Sequence, residues 1–172
     1  MVYIKVFLIV SIIFICFMLG NKKANSFKER EMELKNIKDA FQIFINKIEY
    51  TYSPISEIFE EISKIVYQDK SNIFQDTINL LKENRQKSIS NCFYEAVEKS
   101  TNFFHEDDKE IIKMLGRELG KTNKDGQISE IQVINNFLET QIGRAEEEKV
   151  KNVKLYKTLG TIIGCGIGII LF

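Results

Sequence analysis

Leu34-Lys35-Asn36-Ile37-Lys38-Asp39-Ala40-Phe41-Gln42-Ile43-Phe44-Ile45-Asn46-Lys47-Ile48 is the stretch on which the fold turns. Its residues Leu34, Ile37, Phe41, Phe44 and Ile48 recur at spacings of three and four, which gathers them on one side of a 3.6-residue helix. The spacing predicts a first helix from about Phe27 to Tyr52 with this seam turned inward. Ser53-Pro54 should end it and start the next, Ser53 as N-cap and Pro54 as first helical residue. A second stripe follows in Ile55, Ile58, Phe59, Ile62, Ile65 and Val66.

The same reading runs on toward the C-terminus. Gln68 to Ser71 is a polar break, after which Phe74, Ile78 and Leu81 mark a short helix. Ser88 caps another, with Cys92, Phe93, Ala96 and Val97 inward. His105 stands at the cap or turn before Glu106-Asp107-Asp108, an acidic first turn suited to the positive end of a helix dipole, and Ile111, Ile112, Leu115 and Leu119 supply that helix's core face. Gly120 closes it as a C′ residue. After a turn-rich connection from Lys121 to Gly126, Ile128, Ile131, Ile134, Leu138, Ile142 and Ala145 form the last seam. No alternating strand pattern interrupts the series. The fold class is all-α, a compact antiparallel bundle of about six helices.

Both ends of the chain are far more apolar than its middle. From Met1 to Gly20 the only charge is Lys5, and 20 residues at about 1.5 Å each match a bilayer's hydrocarbon core. Bulky Phe17-Met18-Leu19 stands where a cleavage site would need small residues, so a retained anchor is expected rather than a signal peptide. Tyr156 to Phe172 carries only Lys157. Its Gly160, Gly164 and Gly168 share one helix face and suit close helix packing in a membrane. Lys22, Lys23, Lys28 and Arg30 follow the first apolar stretch, and Lys149, Lys151, Lys154 and Lys157 precede the second, so the positive-inside rule puts both flanks in the cytoplasm. The expected organisation is a transmembrane anchor over 1–20, a cytoplasmic helical bundle over 21–145, a polar, solvated helical stalk over 146–157 and a second transmembrane helix over 158–172.

Charge and composition exclude several kinds of chemistry. The chain has 24 basic and 24 acidic residues, one His and three Cys, without the basic run of a nucleic-acid binder. Cys16, Cys92 and Cys165 read as small buried hydrophobes. A single His cannot build a di-iron or zinc site, and Gly116-Arg117-Glu118-Leu119-Gly120-Lys121-Thr122 is one residue short of a phosphate loop and follows no strand. No catalytic residue, cofactor, metal or small-molecule substrate is expected. Residues 31–148 hold 15 basic against 23 acidic side chains, so the middle is acidic between basic collars that suit anionic lipid headgroups.

The order of these parts resembles a known family. A leading anchor and basic collar, Tyr50-Thr51-Tyr52-Ser53-Pro54-Ile55, Leu115-Gly116-Arg117-Glu118-Leu119-Gly120 with Asp125-Gly126-Gln127, and Asn152-Val153-Lys154-Leu155-Tyr156-Lys157-Thr158-Leu159-Gly160 together resemble the stage III sporulation protein AB family of endospore-forming bacteria. The middle also looks like the cytoplasmic helical domain of the type II secretion inner-membrane platform protein, the F component, in which a Gly-Glu turn joins the last two helices. The chain departs from the sporulation pattern at Tyr50-Thr51, where Tyr-Gly is usual, and at Asn123, where Asp often caps the last helix.

The resemblance implies a non-enzymatic part of a secretion-like complex joining mother cell and forespore. It would sit in the cell membrane with its helical domain on the mother-cell cytoplasmic side, as a platform for a secretion-type ATPase and a neighbour of other membrane proteins of that complex. Glu118, Gly120, Asn123, Asp125 and Gln127 are the candidate partner-binding residues, with a backbone-bonding role as the alternative for Glu118. The runner-up is an unrelated two-span receptor or scaffold whose bundle senses a cytoplasmic ligand.

Overall fold

The computed structural model describes the chain except Met1, Tyr52, residues 68–71, Arg85, residues 101–102, residues 121–123 and Phe172, together with the side chains of Val2, Ile4, Lys5, Val6, Leu8 and Leu171. Helices α1 (Val2–Tyr50), α2 (Ile55–Tyr67), α3 (Ile73–Glu83), α4 (Ile89–Lys99), α5 (Glu106–Glu118) and α6 (Lys124–Leu171) account for nearly all of it, with no strand among the described residues. The polar break at Gln68 to Ser71 lies outside the described residues. The chain divides into two compact units: Glu33–Ile142, and Met1–Met32 with Gly143–Phe172.

The unit Glu33–Ile142 is a helical bundle built around phenylalanines. Phe41, Phe44, Phe59, Phe74 and Phe93 are fully buried. Phe59 stands at their centre, with ring centroids 5.6 Å from Phe44, 5.1 Å from Phe74 and 5.8 Å from Phe93. Edge-on and tilted pairs at such distances align ring quadrupoles as well as burying area. Leu34, Ile37, Ile112, Leu115, Ile131, Ile134 and Leu138 complete the core. Successive helices pack in the order α2 on α3, α3 on α4, α4 on α5. Lys38 pairs with Glu139, and Lys124 Nζ donates to the Glu49 carbonyl at 3.2 Å, so here α1 and α6 run antiparallel.

Local chemistry sets the helix ends. Asn72 accepts from the amides of Phe74 and Gln75 at 3.1 and 3.0 Å, and Ser88 from that of Asn91 at 3.2 Å, which satisfies donors the first turn leaves open. The buried Asp108 carboxylate accepts from the His105 amide at 2.8 Å, the return half of a capping box, and His105 itself is the exposed N-cap of α5.

Several details differ from the sequence reading. The first-turn bonds of α2 run to the Pro54 carbonyl from Glu57 and Ile58, so Pro54 occupies the cap position expected of Ser53. Ile65 is exposed, while Ser63 and Tyr67 are buried in its place, because Asn72 Nδ2 reaches Ser63 Oγ at 3.0 Å and draws that flank inward. α6 begins at Lys124 rather than Gln127, taking Asp125 and Gly126 into its first turn, where an acidic residue is favoured by the dipole. A separate start near Phe27 is not seen, because α1 is helical from Val2 to Tyr50 without a break.

The second unit, formed by the N-terminal part of α1 and the C-terminal part of α6, is an antiparallel helix pair. Among the described residues α6 alone is long and apolar enough to cross a membrane. The expectation of an N-terminal span as well is not matched there. Cys165 is exposed and Cys16 half-buried, so only Cys92 is the enclosed thiol expected of all three. Burial pushes the Cys92 thiol up, away from reactivity.

Candidate functional site

The turn between α5 and α6 holds the residues singled out for partner binding. Leu119 ends α5 with its amide bonded to the Leu115 carbonyl, and Gly120 follows at φ 87°, the left-handed conformation that reverses a chain cheaply only at glycine. Gln127 Nε2 then donates to the Glu118 carbonyl at 2.6 Å, supplying a partner to one of the acceptors left open at a helix C-terminus. Glu118 is 7% and Gln127 5% exposed, so both face inward and hold the turn. Gly120 and Asp125 are exposed. Asn123 lies outside the described residues. The turn therefore brings together two residues that shape it and two that solvent can reach.

Elsewhere on the bundle surface several carboxylates are paired with lysines. Glu95 lies between Lys87 and Lys99, at 2.7 and 2.8 Å, and the hydrogen bonds to these two lysines hold its carboxyl down to about 2. Lys113 bridges Glu110 and Glu98, which raises its own pKa and lowers that of Glu98. Such exposed pairs orient helices weakly and leave no unusual proton donor near neutrality. A cleft of about 210 Å³ is lined by Glu33, Tyr67, Asn72, Asp76, Lys99 and Phe103, among others. Burial, with Glu33 and Asp39 nearby, raises the Tyr67 phenol and keeps it a neutral hydroxyl. Among the described residues no group of three or more His, Cys, Asp or Glu could hold a metal ion.

The helix pair of the second unit is organised by small residues and by charge. A Cβ added to Gly160 would lie 2.8 Å from the Cys16 carbonyl oxygen, and one on Gly20 would lie 2.7 Å from that of Tyr156. At Gly164 it would meet the Ile13 Cα at 3.1 Å, and at Gly168 the Ile9 Cγ2 at 3.1 Å. Gly160, Gly164 and Gly168 therefore all face α1 of the same chain. Gly20 and the spacing Cys16, Gly20, Ala24 went unread in the sequence, although small residues four apart are the signal that would have revealed them.

Beyond the glycines, Phe27 and Tyr156 stack at 5.6 Å, and Lys23 Nζ sits 5.4 Å over the Phe27 ring. Arg30 then bonds Glu148 at 2.7 Å and Glu31 pairs with Lys149. Arg30 is 3% exposed, so the part of α6 expected to be a solvated stalk here ties a buried guanidinium, and Glu148 is engaged rather than free in water. Ala145, about one turn before Glu148, is fully enclosed, whereas Glu146 and Glu147 are exposed.

Comparison with known proteins gives a consistent result. The family described as stage III sporulation protein AB matches residues 5–172. A stage III sporulation protein AB of Bacillus subtilis strain 168 is 24% identical over 147 residues, covering 84% of this chain and 85% of that protein. A solved structure of a stage III sporulation protein AB superimposes with a TM-score of 0.62 at 19% identity, over 72% of this chain and 98% of that one, a likeness of fold.

Proposed function

The chain belongs to the stage III sporulation protein AB family, which supports a role in sporulation, and from that premise we propose that it is a non-enzymatic, membrane-anchored platform for a secretion-type ATPase. In this reading both apolar ends cross the membrane, the basic collars keep Glu33–Ile142 on the mother-cell cytoplasmic side, and the chain joins other membrane proteins of a secretion-like complex. The likeness of the bundle to the F component of type II secretion platforms belongs to the same reading.

The observation that carries it is the bundle core. Five enclosed phenylalanines fill the space where a sensing bundle would need a chamber, and the cleft of about 210 Å³ is smaller than the roughly 300–1,000 Å³ of ordinary ligand sites. A filled bundle presents its chemistry outside, which suits a docking platform better than a small-molecule receptor.

For the docking face the α5–α6 turn is the candidate, with Asp125 and Gly120 offered to the partner, Glu118 and Gln127 giving the turn its shape, and Asn123 between them in sequence. A complementary basic surface on the ATPase would make association salt-sensitive. The test is a pull-down of the ATPase on the full-length chain in detergent. Asp125→Lys should abolish capture without moving the melting temperature, and Glu118→Gln should lower the melting temperature first. Capture at full strength by Asp125→Lys would remove the turn from the interface. Absence of capture by the unaltered chain would remove the ATPase.

A further inference from the structure

Within the helix pair, charged side chains are sorted by level. Residues 21–29 of α1 and 150–158 of α6 carry Lys22, Lys23, Lys28, Lys151, Lys154 and Lys157 against Glu29 alone. All six lysines are exposed, and among the described residues none has a carboxylate partner. One step further from the glycines the opposite holds: Arg30 and Glu31 are matched by Glu148 and Lys149. Of the neighbouring acidic groups, Glu148 is held to the buried Arg30 and Glu31 to Lys149, while Glu29, Glu146 and Glu147 make no ion pair with the six lysines among the described residues.

The other edge of this belt is equally sharp. Phe17, Met18 and Leu19 precede Lys22 on α1, Leu159 and Ile162 follow Lys157 on α6, and all five are exposed apolar side chains. Because Gly20 meets Gly160, both helices change from apolar to basic at the same height. The stacked Phe27 and Tyr156 rings lie within the basic level, as aromatic residues do in the layer between hydrocarbon and water. Six ammonium groups without a carboxylate partner around two adjoining helices, beside apolar surface, match phosphates in a plane rather than one dissolved anion.

We propose that this lysine belt binds the phosphates of anionic phospholipids at the membrane surface, selecting them over zwitterionic lipids and fixing the depth of the helix pair. The proposal rests on the membrane-anchored reading above. A lysine near an anionic surface contributes roughly a fivefold change in binding, so a belt of six has ample strength to select. The neutralised tier of Arg30, Glu31, Glu148 and Lys149 limits the selective surface to one headgroup layer.

The experiment uses the full-length chain in nanodiscs of phosphatidylcholine carrying trace spin-labelled phosphatidylglycerol or phosphatidylcholine. The expected result is a several-fold preference for phosphatidylglycerol that fades in high salt. It should fall to parity in a variant with Lys22, Lys23, Lys154 and Lys157 each replaced by Gln, and persist when the same four become Arg. Equal association of the two labels with the unaltered chain, or a preference untouched by the Gln substitutions, overturns the belt. Displacement by inorganic phosphate beyond the effect of sodium chloride at equal ionic strength would make it a site for a free anion and also overturn the proposal. A chain that leaves the nanodiscs under alkaline carbonate refutes membrane anchoring itself, whereas a retained chain without preference refutes only the belt.

Discussion

Replacing Gly160 with alanine distinguishes close helix packing from mere abundance of glycine. The added methyl would stand 2.8 Å from the Cys16 carbonyl oxygen and 3.1 Å from the Gly20 Cα, both backbone atoms that no rotamer change can withdraw. Relaxed non-bonded contacts lie at about 3.5–4.0 Å, so the helices must part by somewhat under about 1 Å, which forfeits roughly a quarter to a half of each contact's dispersion energy along the seam. Overpacking of this kind costs about 1–3 kcal/mol. Alanine is better than glycine within a helix by about 1 kcal/mol, which offsets part of that loss. Gly166→Ala is the control, because a Cβ there meets nothing within 4 Å and only the propensity gain applies. The two variants should therefore differ by about 1–3 kcal/mol, Gly160→Ala being the less stable. Titrating the full-length chain in mild detergent with dodecyl sulfate, followed by circular dichroism, measures the difference. Equal shifts in the same direction would refute the close approach of the helices.

Gly164→Cys in a Cys92→Ser, Cys165→Ser background should form an intrachain disulfide with Cys16, since a Cβ at 164 would sit 3.3 Å from that of Cys16, close to disulfide spacing; a mobility shift reversed by reductant reports it. Phe59→Ala should destabilise the bundle by about 3–5 kcal/mol through lost burial and the cavity left among Phe44, Phe74 and Phe93, and a denaturant midpoint close to that of the unaltered chain would contradict the core. The Glu95 carboxyl is held below its ordinary 4.5, at about 2, so its contribution is fully present above about pH 4.5 and is lost as pH falls through 2. Glu95→Gln should accordingly lower the melting temperature at pH 6 and have no effect near pH 1.5, and a constant difference across that window would exclude the pairing with Lys87 and Lys99.

Much of the architecture was legible in the order of residues. The seam Leu34, Ile37, Phe41, Phe44 and Ile48 is buried throughout, because a stripe that wide has no other way to leave water. The cap at Ser88, the acidic start of α5 and the closing glycine are local effects whose partners lie within four residues. Ile65 lies off the buried α2 stripe of Ile58, Phe59, Ile62, Ser63 and Tyr67, and the polar Ser63 joins that stripe because Asn72 hydrogen-bonds it. For Glu118 the sequence leaves docking and backbone bonding both open; its burial, with the Gln127 side chain bonded to its carbonyl, distinguishes it as a turn-shaping residue from the reachable Asp125.

By itself, the sequence determined the helical periods, the breaks between helices and the apolar and basic segments, because each depends on backbone geometry and transfer energy summed over near neighbours. Tertiary structure alone decided that Gly160 meets Gly20 while Gly166 faces open space, and that Glu148 is committed to Arg30 while the lysines of the belt have no carboxylate partner among the described residues. Those outcomes depend on the register of two helices whose contacting residues are more than a hundred positions apart, as Arg30 and Glu148 are. A local pattern carries no register between distant segments. It is set when burial, backbone approach and charge pairing are satisfied together along both helices.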